Sequence, residues 1–162
     1  MADEVIDVMT EEQKQQEEEA DSVIHWATAR AGVIVVAPLL GTMALVANQV
    51  YMVTKIGKAY GVEIKESAVI SLIGALGAAF LGTTLLTLIP IAFLQLPVAV
   101  GLTYGLGQVA KRWIKDGMPT DMSQYKGLLT TAKEQAEANV NQFLDHPLKD
   151  QPLGDESKTF KV

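Results

Sequence analysis

Ser67 to Ala110 is a run of 44 consecutive residues without a single charge, built mostly from Leu, Ile, Val, Ala, Gly and Phe. A helix at the surface of a protein needs a polar face, and this run supplies none. As one straight helix it would reach about 66 Å at 1.5 Å per residue. A bilayer core needs only about 20 apolar residues. The run therefore has the length of two helices back to back. Pro90 and Pro97 stand near its middle, where a turn is needed, and proline is disfavoured in a helix interior. The pattern predicts an all-α, membrane-associated protein built on a Gly-rich helical hairpin. An acidic N-terminal helix and an amphipathic C-terminal helix flank the hairpin.

Charge is unevenly placed around the apolar runs. The net charge is −6, yet residues 1–22 hold nine acids against Lys14 alone, so the rest of the chain is slightly positive. The cations gather beside the apolar runs: Lys55, Lys58 and Lys65 before the long one, Lys111, Arg112 and Lys115 after it. Small basic clusters on an acidic chain do not make the basic field that nucleic acid requires. They fit membrane-interface anchors on the cytoplasmic side. The expected location is the bacterial inner (cytoplasmic) membrane, with the basic loops cytoplasmic and lipid as a partner. There is no basic stretch at the N-terminus to open a signal peptide. Cysteine is absent, which removes disulfides, thiolate metal sites and cysteine nucleophiles.

The organisation follows from these runs. Residues 1–30 are expected to form an acidic helix leading into the membrane. Thr10 and Gln13 have the spacing of a capping box, and Glu11 and Glu12 suit the positive end of the helix dipole. Residues 31–117 form the membrane domain, with apolar segments 31–53, 67–89 and 91–110. Pro38 and Gly41 interrupt the first segment, which reads either as a kinked span or as a re-entrant turn. Asn48 and Gln49 should face protein or the interface, because lipid is costly for them. Gly61 follows the basic helix end and marks a stop. Thr54–Gly61 and Ala110–Gly117 share one pattern, an apolar helix running through a basic cluster to Gly. Residues 118–144 form an amphipathic helix, with Met122, Tyr125, Leu128, Leu129, Ala132, Ala136, Val140, Phe143 and Leu144 on one face. It carries few cations, so it should pack on protein rather than on a bilayer. Residues 145–162 read as a flexible tail.

Small residues recur at helical spacing in both arms. Gly74, Ala78 and Gly82 line one face, and Gly101 and Gly105 form a GxxxG in the other. Such faces let helix backbones approach closely. They are expected at helix–helix contacts, within the hairpin or between copies of a homo-oligomer.

The chain shows no catalytic pattern: no phosphate loop, no GxSxG and no HExxH. Glu18, Asp21 and His25 share a helical face and invite a metal reading. A solvated acidic face beside an interfacial His25–Trp26 pair is the simpler account, because metal sites need a convergent ligand set. No metal, cofactor or catalytic residue is assigned, and the chain is read as a non-enzyme.

The stretch Asn48–Glu63, NQVYMVTKIGKAYGVE, resembles the YcjF-like bacterial membrane-domain family, which is also found attached to some Era-like GTPases. The pattern is an apolar helix with Q-x-x-M, a basic K-x-Y-G exit, then a Gly-rich apolar hairpin with a central proline. Gln49, Met52, Lys58, Tyr60, Gly61, Gly74, Gly82 and Pro90 carry it here, and it covers residues 25–117. The acidic N-terminal helix and the C-terminal amphipathic helix depart from it. The resemblance implies an inner-membrane protein without enzymatic activity, working beside a GTPase. The reading is a membrane scaffold or adaptor that self-associates and recruits a cytoplasmic partner. The alternative is an oligomeric channel or a membrane-remodelling, shell-forming assembly.

Overall fold

The computed structural model describes residues 9–36, 41–79 and 92–146. The described residues are all-helical: α1 (Glu11–Val36), α2 (Gly41–Ala59), α3 (Glu66–Ala79), α4 (Ala92–Lys115), a 3₁₀ turn (Ser123–Tyr125), α5 (Lys126–Ala138) and α6 (Val140–Leu144).

α1 starts at the capping box. The Gln13 amide donates to Thr10 Oγ1 at 3.2 Å, and the Thr10 amide donates to Gln13 Oε1 at 2.8 Å. Two orphan donors of the first turn are thereby satisfied. The helix then runs unbroken through residue 30, so the acidic segment and the beginning of the first apolar segment are one element. Its buried positions, Ala20, Ile24, Ala27, Ala31 and Ile34, are three and four apart. Around Ala27–Ala31 burial goes all the way round the helix. Thr28, Ala29 and Ala31 are small there, which lets α2, α4 and α6 all pack against α1.

The core is the joint of α1, α2 and α4. Ile24, Met52, Val53, Ile56, Leu106 and Val109 are all fully or almost fully buried in it. Each large aliphatic side chain so buried is worth about 1.5–3 kcal/mol. α5 lies on the other side of α4, burying Leu129, Ala132 and Ala136. The expected amphipathic helix over 118–144 is thus three pieces, broken at Asn139, and it packs on protein. Its entry is held by Asp121, whose Oδ1 accepts from the Ser123 amide at 2.9 Å. Helix-hairpin packing joins consecutive helices, α1 with α2 and α4 with α5, whereas α3 rests chiefly on α2.

Both basic helix ends close in the same way. The Val62 amide donates to Gly57 O at 2.8 Å and the Gly61 amide to Lys58 O at 3.0 Å. At the second end, Met118 donates to Trp113 O at 2.8 Å and Gly117 to Ile114 O at 3.1 Å. These are two Schellman closures, with Gly61 (φ 72°) and Gly117 (φ 84°) supplying the left-handed residue. The repeated sequence pattern is a repeated helix stop.

The expected inner-membrane location is overturned. Among the described residues, no helix is long and apolar enough to cross a membrane. Segment 31–53 is divided between the end of α1 and α2. α3 has 14 residues, about 21 Å of helix against a hydrocarbon core of about 30 Å. α4 is longer, but its apolar sides are taken by α1, α2 and α5. The assignment of the basic loops to the cytoplasmic face goes with the membrane.

A second correction concerns the turn. α3 and α4 are separate helices, but α4 already begins at Ala92 and carries Pro97 in its second turn. The junction expected between Pro90 and Pro97 therefore does not extend to Pro97. Pro90 lies outside the described residues, as does the tail beyond residue 146.

Candidate functional site

The acids of α1 and the cations of α4 meet in an ion-pair cluster. Glu17 and Asp21 are one turn apart on α1, as are Lys111 and Lys115 on α4. The Lys111 ammonium bonds Glu17 Oε2 at 3.0 Å and Asp21 Oδ1 at 2.7 Å. Lys115 holds the other oxygen of Glu17. Partial burial opposes ionisation of Glu17, but Lys115, Lys111 and Tyr60 outweigh it and hold its carboxyl down at about 2. Burial likewise opposes the charge on Lys111, and Asp21 and Glu17 reverse this and push its pKa up. The Tyr60 hydroxyl, from the α2 exit, is buried beside the same carboxylate and lacks a well-formed hydrogen bond. Burial and the negative charge of Glu17 push its pKa up.

A second set follows the Schellman turn of α4. Arg112 Nε bonds both oxygens of Asp116, at 3.1 and 3.2 Å. The Tyr125 hydroxyl donates to Asp116 Oδ2 at 2.9 Å. Burial and this bond raise the Tyr125 pKa. Trp113 Nε1 donates to Pro119 O at 2.9 Å, pinning the connection to α5.

Between these sets lies an open cleft of about 450 Å³. α1 contributes Glu17, the last turns of α4 contribute Gln108, Lys111, Arg112 and Lys115, with Asp116 just beyond, the 3₁₀ turn contributes Gln124 and Tyr125, and the start of α5 contributes Leu128.

The basic residues expected as membrane anchors are placed variously. Lys111, Arg112 and Lys115 border the cleft and pair with acids. Lys55 lies over the Tyr51 ring, 5.4 Å from its centroid. Lys58 and Lys65 are exposed. The small residues also divide. A Cβ on Gly101 would lie 2.7 Å from Glu137 Cγ and 2.9 Å from Lys133 O. One on Gly105 would lie 2.7 Å from Leu129 Cδ1. Both glycines thus let α5 sit close on α4. Gly74 on α3 faces open space, with nothing within 4 Å. Gly82 and the side chain of Ala78 lie outside the described residues.

The metal constellation does not assemble. Asp21 is engaged by Lys111, and His25 sits against Tyr104 and Phe143, at ring distances of 5.9 and 5.5 Å. Among the described residues no group of three or more acids and histidines is placed to hold a metal ion. Asp116, Tyr125, Gln108 and Gln124 were not anticipated as part of a site. Matched i, i+4 spacings of acids on α1 and cations on α4 were the signal available for the ion-pair cluster.

α3 is the other unusual surface. It has no charge after Glu66; Val69, Leu72 and Leu76 turn into the core and Ile73 packs partly against it. Ser67, Ala68, Ser71, Gly74 and Ala75 are exposed, and Ile70 is 50 % exposed.

No family model, curated protein or solved structure matches this chain.

Proposed function

We propose that this chain is a non-enzymatic helical scaffold that self-associates through the outer face of α3 and recruits a protein partner. The observation that carries the reading is the exposed, uncharged face of α3. Ile70 stands half in solvent among small residues, on a helix whose core contacts are already made by Val69, Leu72 and Leu76. A second copy is the favoured occupant. Two uncharged faces meet without electrostatic repulsion, small side chains permit close helix approach, and an isologous contact pairs the same patch on both copies. The resemblance to the YcjF-like family points to a GTPase as the class of partner to be recruited.

The test is mass in solution by light scattering. The wild-type chain is expected to form dimers or small oligomers, and Ile70→Glu to be monomeric with unchanged helix content by circular dichroism. A wild-type monomer at every concentration removes the self-association. A large closed particle favours the shell-forming alternative.

A further inference from the structure

We propose that the cleft between α1, α4 and the start of α5 binds a small organic anion, a carboxylate or phosphate carried on a compact apolar body. This rests on the cleft alone and not on association through α3. Its volume, about 450 Å³, lies within the range of about 300–1,000 Å³ usual for small-molecule sites.

The sign of the ligand follows from the hydrogen-bond inventory. The acids of the cleft are occupied. Glu17 takes Lys111 on one oxygen and Lys115 on the other. Asp116 takes Arg112 on both oxygens and Tyr125 on one. The cations are not exhausted. Arg112 donates only through Nε, which leaves the outer edge of its guanidinium, with four N–H groups, unused by protein acceptors among the described residues. Lys115 makes a single bond among the described residues, to Glu17, and keeps two N–H groups beyond it. The charged donors of the cleft therefore outnumber its unengaged carboxylate oxygens, while Gln108 and Gln124 add neutral groups of both kinds. A carboxylate or phosphate is acceptor-rich, and a guanidinium edge matches its paired oxygens.

The body of the ligand follows from the opposite wall. Leu128, 36 % exposed, presents apolar surface there, while Tyr125 is buried and turns its hydroxyl to Asp116. Inorganic phosphate would leave that wall wet, whereas a ring or short alkyl group would cover it. The Gln108 amide can orient a polar edge, while the Gln124 Nε2 already donates to Asp121 O at 3.3 Å. Glu17, Asp21 and Asp116 match Lys111, Arg112 and Lys115 in number, so the cluster carries no net positive excess. This selects a singly or doubly charged small molecule over a polyanion.

Calorimetric titration of the full chain tests the proposal, with phenyl phosphate, benzoate, inorganic phosphate and benzyl alcohol as probes. Phenyl phosphate or benzoate is expected to bind in the micromolar to millimolar range. Inorganic phosphate is expected to bind at least about tenfold more weakly, and benzyl alcohol not measurably. Arg112 is 66 % exposed, so Arg112→Gln keeps the fold, as circular dichroism can verify. That variant is expected to weaken the aromatic anion about tenfold or more, the loss of a charged hydrogen-bonding edge. Leu128→Ala is expected to weaken phenyl phosphate without changing inorganic phosphate. Preference for phenyl phosphate over benzoate assigns a phosphate head, and the reverse a carboxylate; either supports the proposal. Three results would overturn it: no binding of either aromatic anion, equal binding of benzyl alcohol, or equal binding by a folded Arg112→Gln.

Discussion

Glu17 is held by two lysines from a helix that follows it by more than 90 positions. Its carboxyl is depressed from 4.5 to about 2. A depressed carboxylate contributes stability above its unfolded pKa and loses it as pH falls through the folded one. Its contribution is therefore complete above about pH 5 and fades between about pH 4.5 and 2. The cluster is partly solvated, so the contribution is set near about 1 kcal/mol, as for ion pairs screened by water. Glu17→Gln is expected to lower the melting temperature at pH 7 and to flatten its fall between pH 5 and 2. Thermal denaturation across that range measures both. Asn48 makes the opposite kind of contact, fully buried and neutral. Its Nδ2 donates to Ala27 O at 2.8 Å, tying α2 to α1. Asn48→Ala should cost about 1–3 kcal/mol in urea denaturation, with no change in pH dependence.

Among the elements, α4 shows why the chain's chemistry misleads. A helix without charge around most of its girth is buried, but sequence does not say whether lipid or protein covers it. Here α1, α2 and α5 do so, with Gly101 and Gly105 admitting α5 to close range. Gly105→Leu should force that packing apart and cost about 1–3 kcal/mol. Gly74→Ala on open α3 should cost nothing and add helix propensity of about 1 kcal/mol. Chemical denaturation of the two variants compares them directly. Local signals were legible because they need only neighbours. The Thr10–Gln13 box, the Gly61 stop and the apolar face of residues 122–144 each depend on a few positions in a row. The pairing of Glu17 and Asp21 with Lys111 and Lys115 was not legible, since nothing local says that α1 and α4 lie side by side. The same ignorance turned Lys111 and Lys115 into expected lipid anchors. Pro97 was read as a turn because interior proline is costly, yet α4 carries it in its second turn, where it forfeits one backbone bond.

At the scale of the whole molecule, stability should be graded rather than uniform. α1, α2 and α4 contact one another and share the largest buried side chains, while α3 touches mainly α2. Hydrogen exchange is expected to be slowest for amides around Ile24, Met52, Ile56 and Val109. It should be faster across α3, which packs chiefly on α2 rather than on the whole joint. Equal protection of α3 and α4 in a monomeric sample would contradict that grading.

The placement of α1 also sets a timetable. Its inner face and its Glu17–Asp21 pair are completed by α4, whose Lys115 follows Glu17 by 98 positions. During synthesis at about 5–20 residues per second, the first helix waits roughly 5–20 s before that partner exists. α2 can cover part of it meanwhile, but the charged flank has no counter-ion until the second basic turn emerges. A row of acids is a fitting side to leave uncovered for that interval, because water solvates it and like-charged nascent chains repel. The acidity of the first helix thus serves the unfinished protein as well as the finished one.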